Sequence, residues 1–177
     1  MSVDVKRPAW AEADDLMREY YDTEWGFPVT DTPGVFERLV LEGFQSGLSW
    51  ATVLRKRPAF RDAFAGFDPV QVAAFDESDV ERLMTDARIV RNERKIRSAI
   101  TNAKATVAMA AEGVDLAELV WSFRPENPTR EADAYPSRSA ESEALSRELK
   151  RRGWVFVGPV TLYAGMEAMG VIEHRLA

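Results

Sequence analysis

The chain has 177 residues, 46% of them hydrophobic, with a formal net charge of −6 and a pI near 5.0. That length suits one domain or two small lobes with a real core, and the composition is neither disordered nor fibrous. The absence of Cys and a single His, His174, exclude disulfides, thiolate metal sites and a Cys nucleophile, and leave little for a metal cage or a His-based triad. With no apolar run of transmembrane length and no basic-then-apolar leader, the chain reads as cytoplasmic. The acidic total argues against non-specific nucleic-acid binding, yet basic residues cluster at Arg55 to Arg57, Arg88 to Arg97 and Lys150 to Arg152. Each cluster is either a solvated face paired with acids or a local phosphate holder.

In chain order, Ala11 to Tyr20 reads as a short helix, followed by an aromatic loop around Gly26 and Pro28. Pro33 suits the first turn of a helix whose Val35, Phe36, Leu39 and Val40 recur at core-facing spacing. That helix ends in LEGFQSGLSW, a mixture with no use in a core. Glu42 falls at the margin of the apolar face, so it is expected to be half buried and to need a donor, a cation or a ligand nearby. Gly43 and Gly47 permit close backbone approach, and Trp50 adds a flat ring. ATVLRKR reads as a helix, and Pro58 as the start of another. Asp68 caps a helix at Pro69, and Asp76 or Ser78 caps the next. DARIV interrupts that run, and Arg91 restarts a long helix through about Ala111, ended by Gly113, so that residues of about 77–97 form a hairpin. Leu116 to Phe123 is helical, about 124–140 with its three prolines an irregular loop, and Glu141 to Arg152 helical. Trp154 to Val157 is short and extended, and Pro159 opens a last helix to Met169. Roughly nine helices and no credible sheet make an all-α fold.

Two constellations carry chemistry. Trp10, Tyr20, Tyr21, Trp25, Phe27, Phe44 and Trp50 crowd the N-terminal third, where each taken singly is more often core than ligand contact. In the company of Glu42 and Gln45 they suit a flat cation such as an alkylated base, because ring faces attract positive charge and a carboxylate accepts from an amino edge. The hairpin exposes backbone N–H groups at the start of its second helix, and Arg88, Arg91 and Lys95 lie on one side of it, which fits a DNA phosphate; plain packing is the alternative.

YYDTEWGFPVTD, LEGFQSGLSWATVLRKR, LMTDARIVRNERKI and ALSRELKRRGWVFVGPVTLYAGMEAMG resemble the DNA-3-methyladenine glycosylase I family, over about Trp10 to His174. The resemblance implies a helix-hairpin-helix glycosylase, one domain over 1–177, with two small helical lobes around an aromatic pocket. It implies hydrolysis of the N-glycosidic bond of 3-methyladenine in alkylated double-stranded DNA by base flipping, without lyase activity. On this likeness Glu42 contacts the base, and Tyr20 is the pocket tyrosine that acts with it in catalysis. Trp10, Trp25 and Trp50 bind the base with Gln45 beside them, and Gly47 and Leu48 enter the gap that the flipped nucleotide leaves. Ala87, Arg88, Ile89 and Val90 form the hairpin that grips DNA, flanked by Arg91 and Lys95. A base that is already cationic needs no strong general acid, which fits the shortage of His. The Asp that many related glycosylases carry after the hairpin has no obvious counterpart.

The sequence also departs from its family. Many members hold zinc through two Cys and two His, but Pro8 and Tyr21 fall at or near the first two positions, only His174 resembles the third, and the chain stops at Ala177 before a fourth. The expectation is therefore no zinc and no other cofactor, with the ends held by packing through Trp10 and Trp154 to Val157. Arg88 stands where the hairpin usually has a small residue, and Gly165 where relatives are expected to be bulkier. The chain is expected to be a monomer. Two other readings stay open: a non-catalytic DNA damage-recognition module of the same fold, and a small-molecule pocket for a cationic purine, to which the acidic pI lends support.

Overall fold

The structure is a computed structural model that describes residues 5–127 and 136–174. Short polar side chains open most of its helices by accepting from the first unpaired backbone N–H groups, which leaves the apolar faces free to pack. Asp14 opens α1 (Asp15–Thr23), Asp31 α2 (Thr32–Gln45), Ser49 α3 (Trp50–Ala63) and Asp68 α4 (Pro69–Ala73). Asp76 opens α5 (Glu77–Thr85), Asn92 α6 (Glu93–Ala111), Asp115 α7 (Leu116–Trp121) and Ser139 α8 (Ala140–Arg151). Only α9 (Pro159–Ala168) starts without a side-chain cap, on Gly158 and Pro159. No strand occurs among the described residues, so the all-α expectation holds there.

Four local expectations are corrected. The first helix is split: Ala9–Glu12 forms a 3-10 turn, and α1 begins only after Asp14 accepts from the Met17 N–H. Pro58 lies inside α3 instead of starting a new helix. A helix-interior proline costs about 3 kcal/mol, but Val53, Phe60 and Ala63 bury both halves of α3 in the same core. The hairpin's second helix begins at Glu93, with Arg91 outside it, because Asn92 Oδ1 accepts from the Lys95 N–H at 3.1 Å. Trp154 to Val157 is not extended throughout, because Phe156 sits at φ +57°, and Trp154 packs against Phe36 in the main core with ring centroids 6.0 Å apart. Residues 128–135 of the expected irregular loop lie outside the described residues.

The main core gathers α2 against α9, α4 and α5 against α6, and α8 against α9. Phenylalanines from α2, α3 and the 3-10 turn Ala65–Phe67 form its centre, with Phe44 and Phe60 ring centroids 4.8 Å apart and Phe64 stacked on Phe67. The segment Trp154 to Val157 has no strand to pair with among the described residues. Instead the buried Asn102 amide receives the Val155 N–H at 2.8 Å and donates to its carbonyl at 2.9 Å. A smaller cluster of Met17, Tyr20 and Leu54, flanked by Trp10, Trp25 and Trp50, stands beside the main core.

The aromatic loop after α1 is bonded to the end of α9. Gly26 N donates to Ala168 O at 3.0 Å and Val29 N to Met169 O at 3.1 Å. Gly170 is required at this crossing, since its φ is +78° and a Cβ there would lie 2.8 Å from Gly26 O. The sequence distance between these segments closes around one cavity.

Candidate functional site

That cavity lies between the small aromatic cluster and the α2–α9 pair, and its volume is about 310 Å³. Trp10, Tyr20, Trp25, Glu42, Gln45 and Trp50 all line it, so every residue expected to meet the base comes to one place. Met17, Ala164 and Glu167 complete the wall. Trp10 sits 5.6 Å from Trp25 and 6.4 Å from Tyr20, and Tyr20 sits 5.8 Å from Trp50, measured between ring centroids. Tyr21, near an expected zinc position, is fully buried and stacks on Trp25 at 5.5 Å.

Glu42 is buried to 7% exposure, which corrects the half-buried expectation. Gly165 is the reason. A Cβ at that position would come 3.2 Å from Leu39 Cδ2 and 3.7 Å from Glu42 Cγ, so glycine lets α9 close tightly over this part of α2. Among the described residues no hydrogen bond or ion pair reaches the Glu42 carboxylate. Burial pushes its pKa up to about 8, and the Glu167 charge adds to the rise. Near neutral pH this burial biases the acid toward its protonated form, and a cation beside it would favour the carboxylate. Burial and the Glu42 charge push the Tyr20 phenol well above its ordinary value, so it stays a donor. Behind it, Arg57 lies over the ring at 5.8 Å and donates to Glu24 through Nη1 at 2.7 Å and through Nη2. The Trp50 indole N–H is buried without a partner among the described residues.

Glu167 was not picked out from the sequence, although a signal existed. It is the one charged residue in α9, an otherwise apolar helix. His174 Nδ1 lies 2.8 Å from its Oε2, and the His174 ring sits 5.9 Å from that of Tyr163. His174, the residue resembling a zinc ligand, is therefore committed to a carboxylate. Among the described residues no group of three or more His, Cys, Asp or Glu is placed to hold a metal ion.

The residues expected to hold DNA are placed less uniformly. Gly47 and Leu48 form an exposed turn between α2 and α3, with Gly47 at φ +80° and Leu48 36% exposed. Gln45 braces it, donating from Nε2 to Leu48 O at 2.7 Å. Ala87, Arg88 and Arg91 are exposed in the link between α5 and α6, and Val90 is partly so. The Ile89 side chain is in the core at 2% exposure, leaving only its backbone for any contact. Arg88 donates to Asp62 at 2.9 Å and to Asp86 at 2.8 Å, so its charge is already matched. Lys95 Nζ donates to Phe44 O at 2.9 Å and Ser46 O at 2.7 Å, capping the end of α2. No described helix is long and apolar enough to cross a membrane.

An all-α chain whose buried, unpaired acid faces Trp and Tyr rings has the build of a helical glycosylase that receives a base. The chain belongs to the methyladenine glycosylase family, whose model matches residues 10–177. It is 44% identical over 176 residues to DNA-3-methyladenine glycosylase 1 of Escherichia coli, covering 97% of this chain and 94% of that protein. It is 37% identical to the DNA-3-methyladenine glycosylase of Haemophilus influenzae, with 96% and 94% covered. Among solved structures, a 3-methyladenine DNA glycosylase I superposes with a TM-score of 0.88 at 43% identity, over 94% of this chain and 93% of that one. The Staphylococcus aureus enzyme, solved to explain 3-methyladenine recognition, superposes with a TM-score of 0.86 at 31% identity, over 96% and 95%.

Proposed function

We infer that this chain is a monofunctional DNA-3-methyladenine glycosylase that hydrolyses the N-glycosidic bond of 3-methyladenine in alkylated double-stranded DNA. The observation that carries this is Glu42: a buried acid with no hydrogen-bond or ion-pair partner among the described residues, lining a cavity of Trp and Tyr rings on a family-typical scaffold. Flipping the nucleotide into that cavity costs a few kcal/mol, and stacking on the aromatic wall returns about 1 to 3 kcal/mol per base. The cationic base draws Glu42 into its ionised form, and the carboxylate accepts from the adenine amino group, with the Tyr20 hydroxyl beside it as donor. Holding the cation in this orientation favours departure of the base with the glycosidic electron pair. Water adds at C1′ of the sugar and gives up a proton, and neutral 3-methyladenine leaves. Because the substrate already carries the positive charge, no acid has to protonate the leaving group.

For DNA, the exposed Gly47–Leu48 turn suits the gap left by the flipped nucleotide. The backbone of 87–90 and the exposed Arg91 suit a phosphate. The paired Arg88 and the capping Lys95 are read here as shaping the grip rather than supplying free charge. We read the chain as one domain acting as a cytoplasmic monomer without metal or other cofactor.

The test is release of free bases from methylated duplex DNA, resolved by chromatography. Wild-type protein is expected to release 3-methyladenine and leave 7-methylguanine, and Glu42→Gln to lose at least about a hundredfold in rate, as for removal of one well-placed electrostatic group. Well-folded wild-type protein that binds the duplex and releases nothing would make the chain a damage-recognition module instead.

A further inference from the structure

Glu42 alone meets the base in the proposed reaction, but the cavity wall holds a second acid. Glu167 comes from α9, while Glu42 comes from α2, and both line the same space. Its carboxylate is held at one oxygen by His174, which is 6% exposed, while the Glu167 side chain keeps 18% of its surface where it borders the cavity. No Arg or Lys reaches either carboxylate among the described residues. A purely structural pair would be expected to turn both partners inward. Here the imidazole sits behind, and the acid forms the wall. The two acids feel one another, since the Glu167 charge raises the Glu42 pKa.

We propose that Glu167, oriented by His174, is a second acid of the base pocket and a specificity-determining residue that makes the pocket select positively charged bases over neutral ones. This rests on the glycosylase reading of the cavity. The rings themselves attract a cation, but a neutral purine also stacks on Trp10, Trp25, Tyr20 and Trp50, so they supply only part of the discrimination. A second acid on the same cavity wall adds negative potential that a charged base feels and a neutral one does not. A cation entering between the two acids is attracted by both, whereas a neutral base is not. Glu167 thereby adds to the attraction for charge without needing to touch the amino edge that Glu42 takes.

The test compares two probes on the full chain: 3,9-dimethyladeninium, which is cationic at neutral pH, and neutral 9-methyladenine. Wild-type protein is expected to bind the cation more tightly. Glu167→Gln is expected to reduce that preference by about tenfold, the scale of one charge partly screened in a pocket, while affinity for the neutral probe stays within about twofold. Glu167→Met, which suits the apolar helix and removes the same charge, carries the identical expectation should the Gln variant fold poorly. Equal weakening of both probes, or no change in either, overturns the proposal and leaves Glu167 a packing residue. Base release from methylated duplex is measured in parallel. Release by wild-type with an unaltered probe preference in both variants sinks this inference alone. A preference lost in the variants, with no release by the wild type, sinks the glycosylase reading and keeps the two-acid pocket.

Discussion

At the scale of single residues, Glu42 concentrates both the cost and the use of the site. Its pKa is raised from an ordinary 4.5 to about 8, chiefly by burial. Between those values the folded chain keeps a proton that the unfolded chain gives up, so folding stability falls as pH rises across that window. The penalty is absent below about 4.5 and complete above about 8. Glu42→Gln is therefore expected to raise the Tm by several degrees at about pH 8.5 and to change it little at about pH 5, read by thermal denaturation without ligand. The same substitution that is expected to slow base release should thus make the protein more stable without ligand, as expected when a site is built at the expense of the fold. Glu42 was legible in the sequence because a carboxylate interrupts an apolar helical run. Glu167 interrupts α9 in the same way, but nothing in the sequence set it beside Glu42, and only the close approach permitted by Gly165 does so.

At the scale of elements, the hairpin and the pocket helix are joined by a side chain that spacing alone assigned to DNA. Lys95 lies on the exposed side of the hairpin by count, yet its ammonium closes the carbonyls of Phe44 and Ser46, so α6 fixes the end of the helix that carries Glu42. Lys95→Met is expected to cost about 1 to 3 kcal/mol in urea denaturation, since it leaves two carbonyls without their charged donor. It should slow base release while leaving the salt dependence of duplex binding nearly unchanged. Arg91→Ala should do the opposite: Tm within about a degree of wild type, with the slope of log K against log salt reduced by about one. Helix existence was readable from apolar periodicity, and the caps Asp68 and Asp76 from their place ahead of it, while the caps of the other helices were not picked out. Continuity through Pro58 was not, because the burial of Val53, Phe60 and Ala63 that outweighs the lost hydrogen bond is tertiary.

At the scale of the whole molecule, the pocket exists because the first aromatic segment is fastened to the last helix. Gly26 and Val29 donate to the final carbonyls of α9, and Gly170 gives the space for that crossing. Gly170→Ala meets both a positive φ and a 2.8 Å approach to Gly26 O. A loss of about 2 kcal/mol or more is expected in chemical denaturation, larger than for an alanine at an unstrained surface site. Base release should fall with it, because Trp25 and Tyr20 are positioned by the same crossing. The expectation that Trp10 helps hold the N-terminal segment fits its contacts with Tyr21 and Trp25. Trp154, 2% exposed, shares the main core with Val171 and Ile172 near the C-terminal end.

The amino-acid sequence by itself determined the all-α class, the order of the helices, the family likeness and the set of residues around Glu42. Those depend on local periodicity, capping chemistry and strings short enough to read directly. The tertiary structure decided that Glu42 is buried rather than half-buried, that a second acid shares its cavity, and that Arg88 and Lys95 are already engaged. Each of these outcomes depends on which distant backbone and side-chain groups come within a few ångströms, and burial, charge pairing and pKa are properties of that meeting.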